Sequence, residues 1–310
     1  MKKFDITILG EVNLDLILYG LPTVLPTERE LLGDDFHMTL GGSSSILAHN
    51  LAVLGSRVGF VTKTGDDSLG KIALERLTAA GVDLSRAVHS HDGIKTGVTI
   101  VLPHGRERHI LTYPGTMATL TMDEVDQDYL ADAKHFHVSS LFLQQGIQAT
   151  LPGLCRNLRS KGLTTSLDTN DDPSGNWGGP LQEMLDVIDI LLPNDSEARS
   201  IAGCDDLSQA ISVLAGRVPI VAVKCGSEGC IVQEGKQRWR IPALSVSPVD
   251  TVGAGDSFNA GFLSAYVKGR SLAECGEAGN AAAALSTLRP GGTEAFLEHE
   301  LRSSFLESQR

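Results

Sequence analysis

The sequence predicts an α/β fold built on a mostly parallel sheet, and three observations carry that prediction. Short β-rich runs alternate with helix-periodic segments along most of the chain. Glycines stand where several predicted helices stop. One region breaks the alternation and is extended chain without helices.

Phe4 to Leu9 is a strand stopped by Gly10, and Leu14 to Tyr19 is a second alternating stretch. A loop with Pro22 and Pro26 follows. After Gly41-Gly42, the residues Ile46, Leu47, Leu51 and Leu54 recur at helical spacing, with Gly55 as the stop. Arg57 to Thr62 is a strand, and Asp67 to Ala80 a helix ended by Gly81. Then the alternation breaks. Thr96 to Leu102 and Arg108 to Tyr113 flank Pro103-His104-Gly105 and predict a hairpin. Pooled with the extended stretches of 14–39, it forms a small second sheet, a lid over about 12–39 and 96–115. Its apolar side is expected to carry Leu16, Leu18, Val98, Ile100, Leu102 and Ile110.

From Phe136 the alternation resumes. Strands are expected near 135–139, 163–167, 189–192 and 219–224, with helices near 145–161, 178–187, 195–202 and 207–216. A β-rich piece over 229–242 precedes two helices near 254–268 and 272–288. With no internal repeat or low-complexity linker, residues 1–310 form one α/β domain with the lid inserted in it.

Composition narrows the function. The chain has 310 residues, 42% hydrophobic and 21% charged, which is ample to bury a core and excludes a disordered protein. The 26 Lys and Arg against 38 Asp and Glu leave a net charge of −12, which argues against general nucleic-acid binding. No apolar run approaches the ~18–20 residues of a membrane helix, and Asp5 follows Lys2-Lys3 before any signal-peptide core. The five cysteines are scattered, odd in number and without a CxxC, as in reduced cytoplasmic proteins. A cytoplasmic enzyme is expected.

The sharpest chemical segment is Asp250-Thr251-Val252-Gly253-Ala254-Gly255-Asp256-Ser257-Phe258. Three small residues before a helix let backbone N–H groups approach and bind an anion. Two readings of Asp256 stand. It caps the helix, or it takes a proton from a hydroxyl while the N–H groups hold phosphoryl oxygens. The helix N-terminus is expected to lower its pKa. Gly65 to Lys71 fits the phosphate-loop spacing GxxxxGK, but Ile72 stands where a Mg²⁺-binding hydroxyl belongs and Asp66 and Asp67 repel phosphate. His135 and His137 share one side of a strand, yet no Cys or acid joins them, or His104 and His109, at ligand spacing.

Asp250 to Phe258 resembles the DTxGAGDxF signature of the ribokinase-like carbohydrate kinases, the PfkB family. Gly41-Gly42 with the helix to Gly55 is similar to that family's first signature, Asn194 to Glu197 to its NxxE element, and Lys224 to Gly229 to its nucleotide-binding glycine turn. The motifs run in order from Gly10 to Gly292. The resemblance implies a three-layer α/β sandwich with a small β-sheet lid. It implies ATP-dependent phosphorylation of a hydroxymethyl group on a small sugar or sugar-like substrate. Ribokinase, fructokinase and ketodeoxygluconate-kinase types stay open, as do a nucleoside kinase and a non-catalytic sugar-binding relative.

Site roles follow from the same resemblance. Asp256 is the catalytic base, and Gly253, Ala254 and Gly255 form the anion hole. Asn194, Lys224, Gly226, Gly229 and Asn280 meet ATP, with Asn280 reading the base edge or, alternatively, standing as a surface amide. Asn194 and Glu197 hold a hydrated Mg²⁺, or simply cap a helix. Asp250, Thr251 and Gly291 are implied for a monovalent cation, K⁺. Asn13, Asp15, Gly41, Gly42 and Ser43 meet the sugar, with Tyr113 and His109 covering it. Two departures stand out: Ser43 replaces the lysine of ribokinase, and Ile46 replaces the asparagine of most sugar-kinase relatives, which suggests a substrate with an apolar or differently substituted edge there. A homodimer paired through the lid is also expected.

Overall fold

The computed structural model describes residues 2–104 and 107–307, so Gly105 at the predicted hairpin tip lies outside the described residues. The chain opens with β1 (Phe4–Leu9), β2 (Asn13–Tyr19), β3 (Asp35–Gly41), α1 (Ser43–Val53) and β4 (Val58–Val61). Next come β5 (Lys63–Gly65), α2 (Ser68–Ala79), β6 (Val88–Ser90), β7 (Gly97–His104) and β8 (Glu107–Tyr113). The middle holds α3 (Gln127–Ala131), β9 (Ala133–Ser139), α4 (Leu151–Ser160), β10 (Thr164–Asp168), α5 (Pro180–Met184) and β11 (Ile190–Leu191). Then follow α6 (Asp195–Ala202), α7 (Leu207–Ala215), β12 (Ile220–Lys224), β13 (Cys230–Glu234) and β14 (Gln237–Ile241). Four helices close the chain: α8 (Ala254–Tyr266), α9 (Leu272–Ser286), α10 (Glu294–Leu297) and α11 (His299–Glu307).

Eight strands form the main sheet in the order β14-β13-β12-β11-β10-β9-β1-β4. All its pairings are parallel except β12–β13 and β13–β14. One apolar cluster packs α3 through α7 on one side; a second packs α1, α2, α8 and α9 on the other. Three layers result, as parallel crossovers require. Two helices start later than their periodicity suggests. Pro152 and Pro180 fall in the first turns of α4 and α5, because proline lacks the N–H that a helix interior needs.

The second sheet has the order β3-β2-β7-β8, with β2 and β7 parallel. Register sorts its two faces. Asn13, Asp15, Thr39 and Thr99 lie on one; Leu14, Leu16, Leu40, Val98 and Ile100 lie on the other. Ile110 pairs with Val101, so it belongs to the first face and not to the expected apolar one. His109 pairs with Leu102 and Tyr113 with Val98, which turns both away from Asp15 and corrects their expected role over a ligand. Leu14, Leu40 and Met38 of the apolar face pack on α2. Farther out, Phe36, Ile100 and Leu111 are 56%, 38% and 53% exposed.

The middle of the main sheet carries a buried polar ladder. His135 Nδ1 meets Thr164 Oγ1 at 2.7 Å and its Nε2 meets Ser166 Oγ at 2.7 Å. His137 Nδ1 lies 2.6 Å from the same hydroxyl, and its Nε2 lies 2.8 Å from Ser139 Oγ. Ser166 has one proton between two imidazoles, so it donates to one ring and accepts from the other. With both rings neutral, the hydrogen bonds therefore run in one direction along the ladder.

Burial pushes both imidazoles down to about 3, helped by His137 at His135 and by Lys224 at His137. The folded state thus binds fewer protons than the unfolded one, and this contribution is complete above pH ~6.5 and lost as pH falls toward 3. Cleft carboxylates with raised pKa values act oppositely, so the readout is a difference. Denaturant melts of wild type and His137→Gln between pH 6 and 4.5 should converge by ~1.4 kcal/mol per pH unit. Parallel profiles would show that His137 is not held neutral.

Candidate active site

The site lies at the carboxyl ends of β1, β9, β10 and β12, where α8 begins. Gly253 is the N-cap of α8, with φ 72° and no capping side chain. A Cβ there would lie 2.5 Å from Gly292 Cα, so only glycine permits the crossing of the two loops. Ala254 N–H donates to the Thr251 carbonyl at 3.3 Å, and no side chain caps the first turn of α8. Asp256 stands in that turn and accepts a short hydrogen bond from the Ser43 hydroxyl.

The lowered pKa expected of Asp256 is corrected here. Its carboxyl is pushed up to about 6, first by burial and then by the charge of Asp168; the Ser43 hydroxyl and Lys224 offset only part. Asp168 ends β10, is fully buried and forms a 2.6 Å ion pair with Lys224 Nζ at the end of β12. Asn259, one turn beyond Asp256, donates to the same Asp168 oxygen. Burial works against the Lys224 charge, but Asp168 and Glu197 outweigh it and raise its pKa. Lys224 Nζ would lie 3.6 Å from a Cβ placed on Gly255, so the ammonium borders the turn.

Asn194 and Glu197 form a reciprocal capping box on α6. Asn194 Oδ1 accepts from Glu197 N at 2.8 Å, while Glu197 Oε2 accepts from Asn194 N at 2.8 Å and Oε1 from Asn194 Nδ2 at 2.6 Å. Burial and Asp168 push Glu197 up to about 7. Gly226 opens a short turn above Lys224, and Gly229 closes it against Ile241. Asn280 is buried, which excludes the surface amide, and its Nδ2 donates to the Ile241 and Pro242 carbonyls at 3.1 and 3.0 Å. These donors tie α9 to the end of β14.

On the lid side, Asn13 Nδ2 donates to Asp15 Oδ1 at 3.1 Å and to Thr99 Oγ1 at 2.9 Å. Among the described residues, Asn13 Oδ1 is a buried acceptor without a donor. Gly41 and Gly42 admit these side chains, since added Cβ atoms would lie 2.0 Å from Asp15 Oδ1 and 2.5 Å from Asn13 Oδ1. Burial and Asp256 push Asp15 up to about 7. Ile46 is 2% exposed and packs against Gly253 and Gly292, beside the turn that opens α8. Asp250 Oδ1 accepts from Val252 N at 3.0 Å and Oδ2 from Gly291 N at 2.9 Å, joining those loops; the exposed Thr251 lies 3.5 Å from Arg108.

Three groups were missed by motif reading. Glu11, Asp168 and Asn259 have no motif of their own. Glu11 is buried and accepts from Ser44 N, Ser44 Oγ and Ser140 Oγ at 3.1, 2.7 and 2.8 Å. For Asn259 a signal existed, since its spacing of three from Asp256 puts both on one side of α8.

Residues 3–299 match the pfkB family of carbohydrate kinases. The chain belongs to that family. It is 29% identical to a 2-dehydro-3-deoxygluconokinase of Bacillus subtilis, over 96% of this chain and 97% of the relative. An adenosine kinase structure from Sinorhizobium meliloti superposes with TM-score 0.85, at 25% identity and 99% of both chains. An E. coli structure in complex with ATP and Mg²⁺ has the same fold, with TM-score 0.85 at 21% identity, over 98% of this chain and 99% of that one. The protein is thus a PfkB-type sugar kinase with the ribokinase-like fold. In this family member, Gly253→Ala should reduce turnover at least ~10-fold, since it displaces the turn from Gly292. Steady-state rates beside a thermal melt would check it, and an unchanged rate would mean that the turn tolerates movement.

Proposed function

We propose that the chain transfers the γ-phosphoryl group of ATP to a hydroxymethyl group of a small sugar or sugar-like alcohol. Asp256 is the observation that carries this reading: a carboxylate beside uncapped helix N–H groups, bonded to Ser43 and bordered by Lys224. Phosphoryl transfer has a loose transition state, so alignment and charge stabilisation dominate. The N–H groups of Gly253, Ala254 and Gly255 hold the transferred oxygens. Asp256 accepts the hydroxyl proton, and Asn13 and Asp15 orient the acceptor.

Lys224, Gly226 and Gly229 face the nucleotide in this reading. Each Glu197 oxygen accepts one hydrogen bond and keeps a lone pair for a water of a hydrated Mg²⁺. When bound, Mg²⁺ neutralises phosphate charge. Each Asp250 oxygen likewise accepts one N–H, leaving room for K⁺ with Thr251 and Gly291.

The lid face toward Asp256 offers Asn13, Asp15 and Thr99, a hydroxyl-reading set that suits a polyol, while Thr39 on the same face already donates to Glu294 at 2.9 Å. The likeness to an adenosine kinase keeps nucleosides as the second reading. Measuring ATP consumption over ribose, fructose, 2-dehydro-3-deoxygluconate and nucleosides separates them.

Asp256→Asn should lower turnover by roughly 10²-fold or more, with ATP affinity changed only a few-fold. Because the base acts unprotonated and titrates at about 6, wild-type kcat should fall as pH drops through 6. Near-normal turnover in the variant would mean that Asp256 serves only to bind Ser43.

The exposed Phe36, Ile100 and Leu111 also support a homodimer through the outer lid face. Sedimentation should give a dimer for wild type at micromolar concentration and a monomer for Ile100→Lys. An equally dimeric variant would end the idea.

A further inference from the structure

The family resemblance places an asparagine at position 46, where this chain has Ile46; an asparagine stands one helical turn on, at Asn50. Asn50 is fully buried. Its Nδ2 donates to the Ser257 hydroxyl at 3.0 Å and to the Gly292 carbonyl at 3.0 Å. Ser257 in turn donates to the Gly253 carbonyl at 2.8 Å. The amide's other end, Oδ1, lies 2.8 Å from His49 Nδ1. An amide oxygen has no proton to give, so His49 Nδ1 is the donor, and the amide is fixed with both N–H bonds toward Ser257 and Gly292. One buried side chain thus grips the start of α8 and the loop that crosses it, while Ile46 fills the space beside Gly253 and Gly292.

We propose that Asn50 is a positioning residue of phosphoryl transfer. By holding Ser257 and Gly292 it fixes the direction in which the N–H groups of residues 253–256 point. It touches neither nucleotide nor sugar. The proposal rests on the reading of the 253–256 turn as the phosphoryl-binding element. A displacement of ~1 Å in such an element costs on the order of 10²-fold in rate.

The test uses the full chain with Asn50→Ala, Asn50→Ser and Asp256→Asn. Rates are measured with ribose and 2-dehydro-3-deoxygluconate as acceptors. Binding of Mg·ADP is measured by calorimetry with and without aluminium fluoride, a mimic of the transferring group. Asn50→Ala should lower kcat by about 10- to 100-fold and leave the acceptor KM within about threefold. The gain in ADP affinity from aluminium fluoride should shrink by a similar factor. Asn50→Ser restores one donor and should recover part of both losses, and it carries the test if the alanine variant does not fold. A lowered Tm with unchanged kcat and an unchanged fluoride effect would make Asn50 merely structural and overturn the proposal. If instead Asp256→Asn keeps near-normal turnover, the reading of the turn fails, and the proposal falls with it for that separate reason.

Discussion

The structure turns on two helices that meet at its centre without side-chain caps. Side chains cap α2, α3, α6, α7 and α9 through Asp67, Asp126, Asn194, Asp206 and Ser271, while α4, α5 and α10 also begin without one. The central two, α1 and α8, start at Gly42 and Gly253, both at positive φ and both without a capping side chain. Their ends meet where Ser43 bonds to Asp256. Donors left open at the centre of a protein cost stability unless something else satisfies them. At α1 the substitute is Glu11, brought from the end of β1 to Ser44 N. At α8 no side chain fills that role, and Ala254 N–H turns to the Thr251 carbonyl instead.

Environment separates carboxylates of one chemical type. Asp5 sits with Arg57 and Lys134, and Asp83 with Lys3; both are held well below the usual range. Asp15, Asp256 and Glu197 are raised first by burial and then by a neighbouring carboxylate, Asp256 at Asp15 and Asp168 at the other two, where Lys224, paired to Asp168, offsets only part. The peripheral groups hold elements together. The central ones carry protons that can move near neutral pH, which suits acid–base work.

Periodicity made the architecture legible. The strand and helix alternation gave the parallel sheet, and the break in it gave the lid, because both are local patterns. Spaced glycine motifs likewise marked the turn at Gly253. Less legible was whatever depends on register or depth. Ile110, His109 and Tyr113 were assigned to faces that only strand pairing could decide. The backbone contacts of Ile46 and of the Asn280 donors also depend on depth, which no local pattern carries. The sign of the Asp256 shift depended first on burial and then on Asp168, whose neighbours come from β12 and α8 far along the chain.

The sheet order has a consequence for how the chain assembles. From β9 to β14, each strand lies beside the one before it, so that part of the sheet grows by addition at an edge. The remaining two strands do not. β1 lies between β4 and β9, and the connection from β4 to β9 passes through two lid strands before it returns. Residues 4–61 alone can therefore pair only one edge of β1, and the other edge waits for β9. An open edge of Ile6, Ile8 and Leu9 is prone to pair with a neighbouring chain, and its contacts are non-local and slow to close. The polar ladder of β9 and β10 then seals beside it, and hydroxyl and imidazole partners that must all point one way make a slipped register costly.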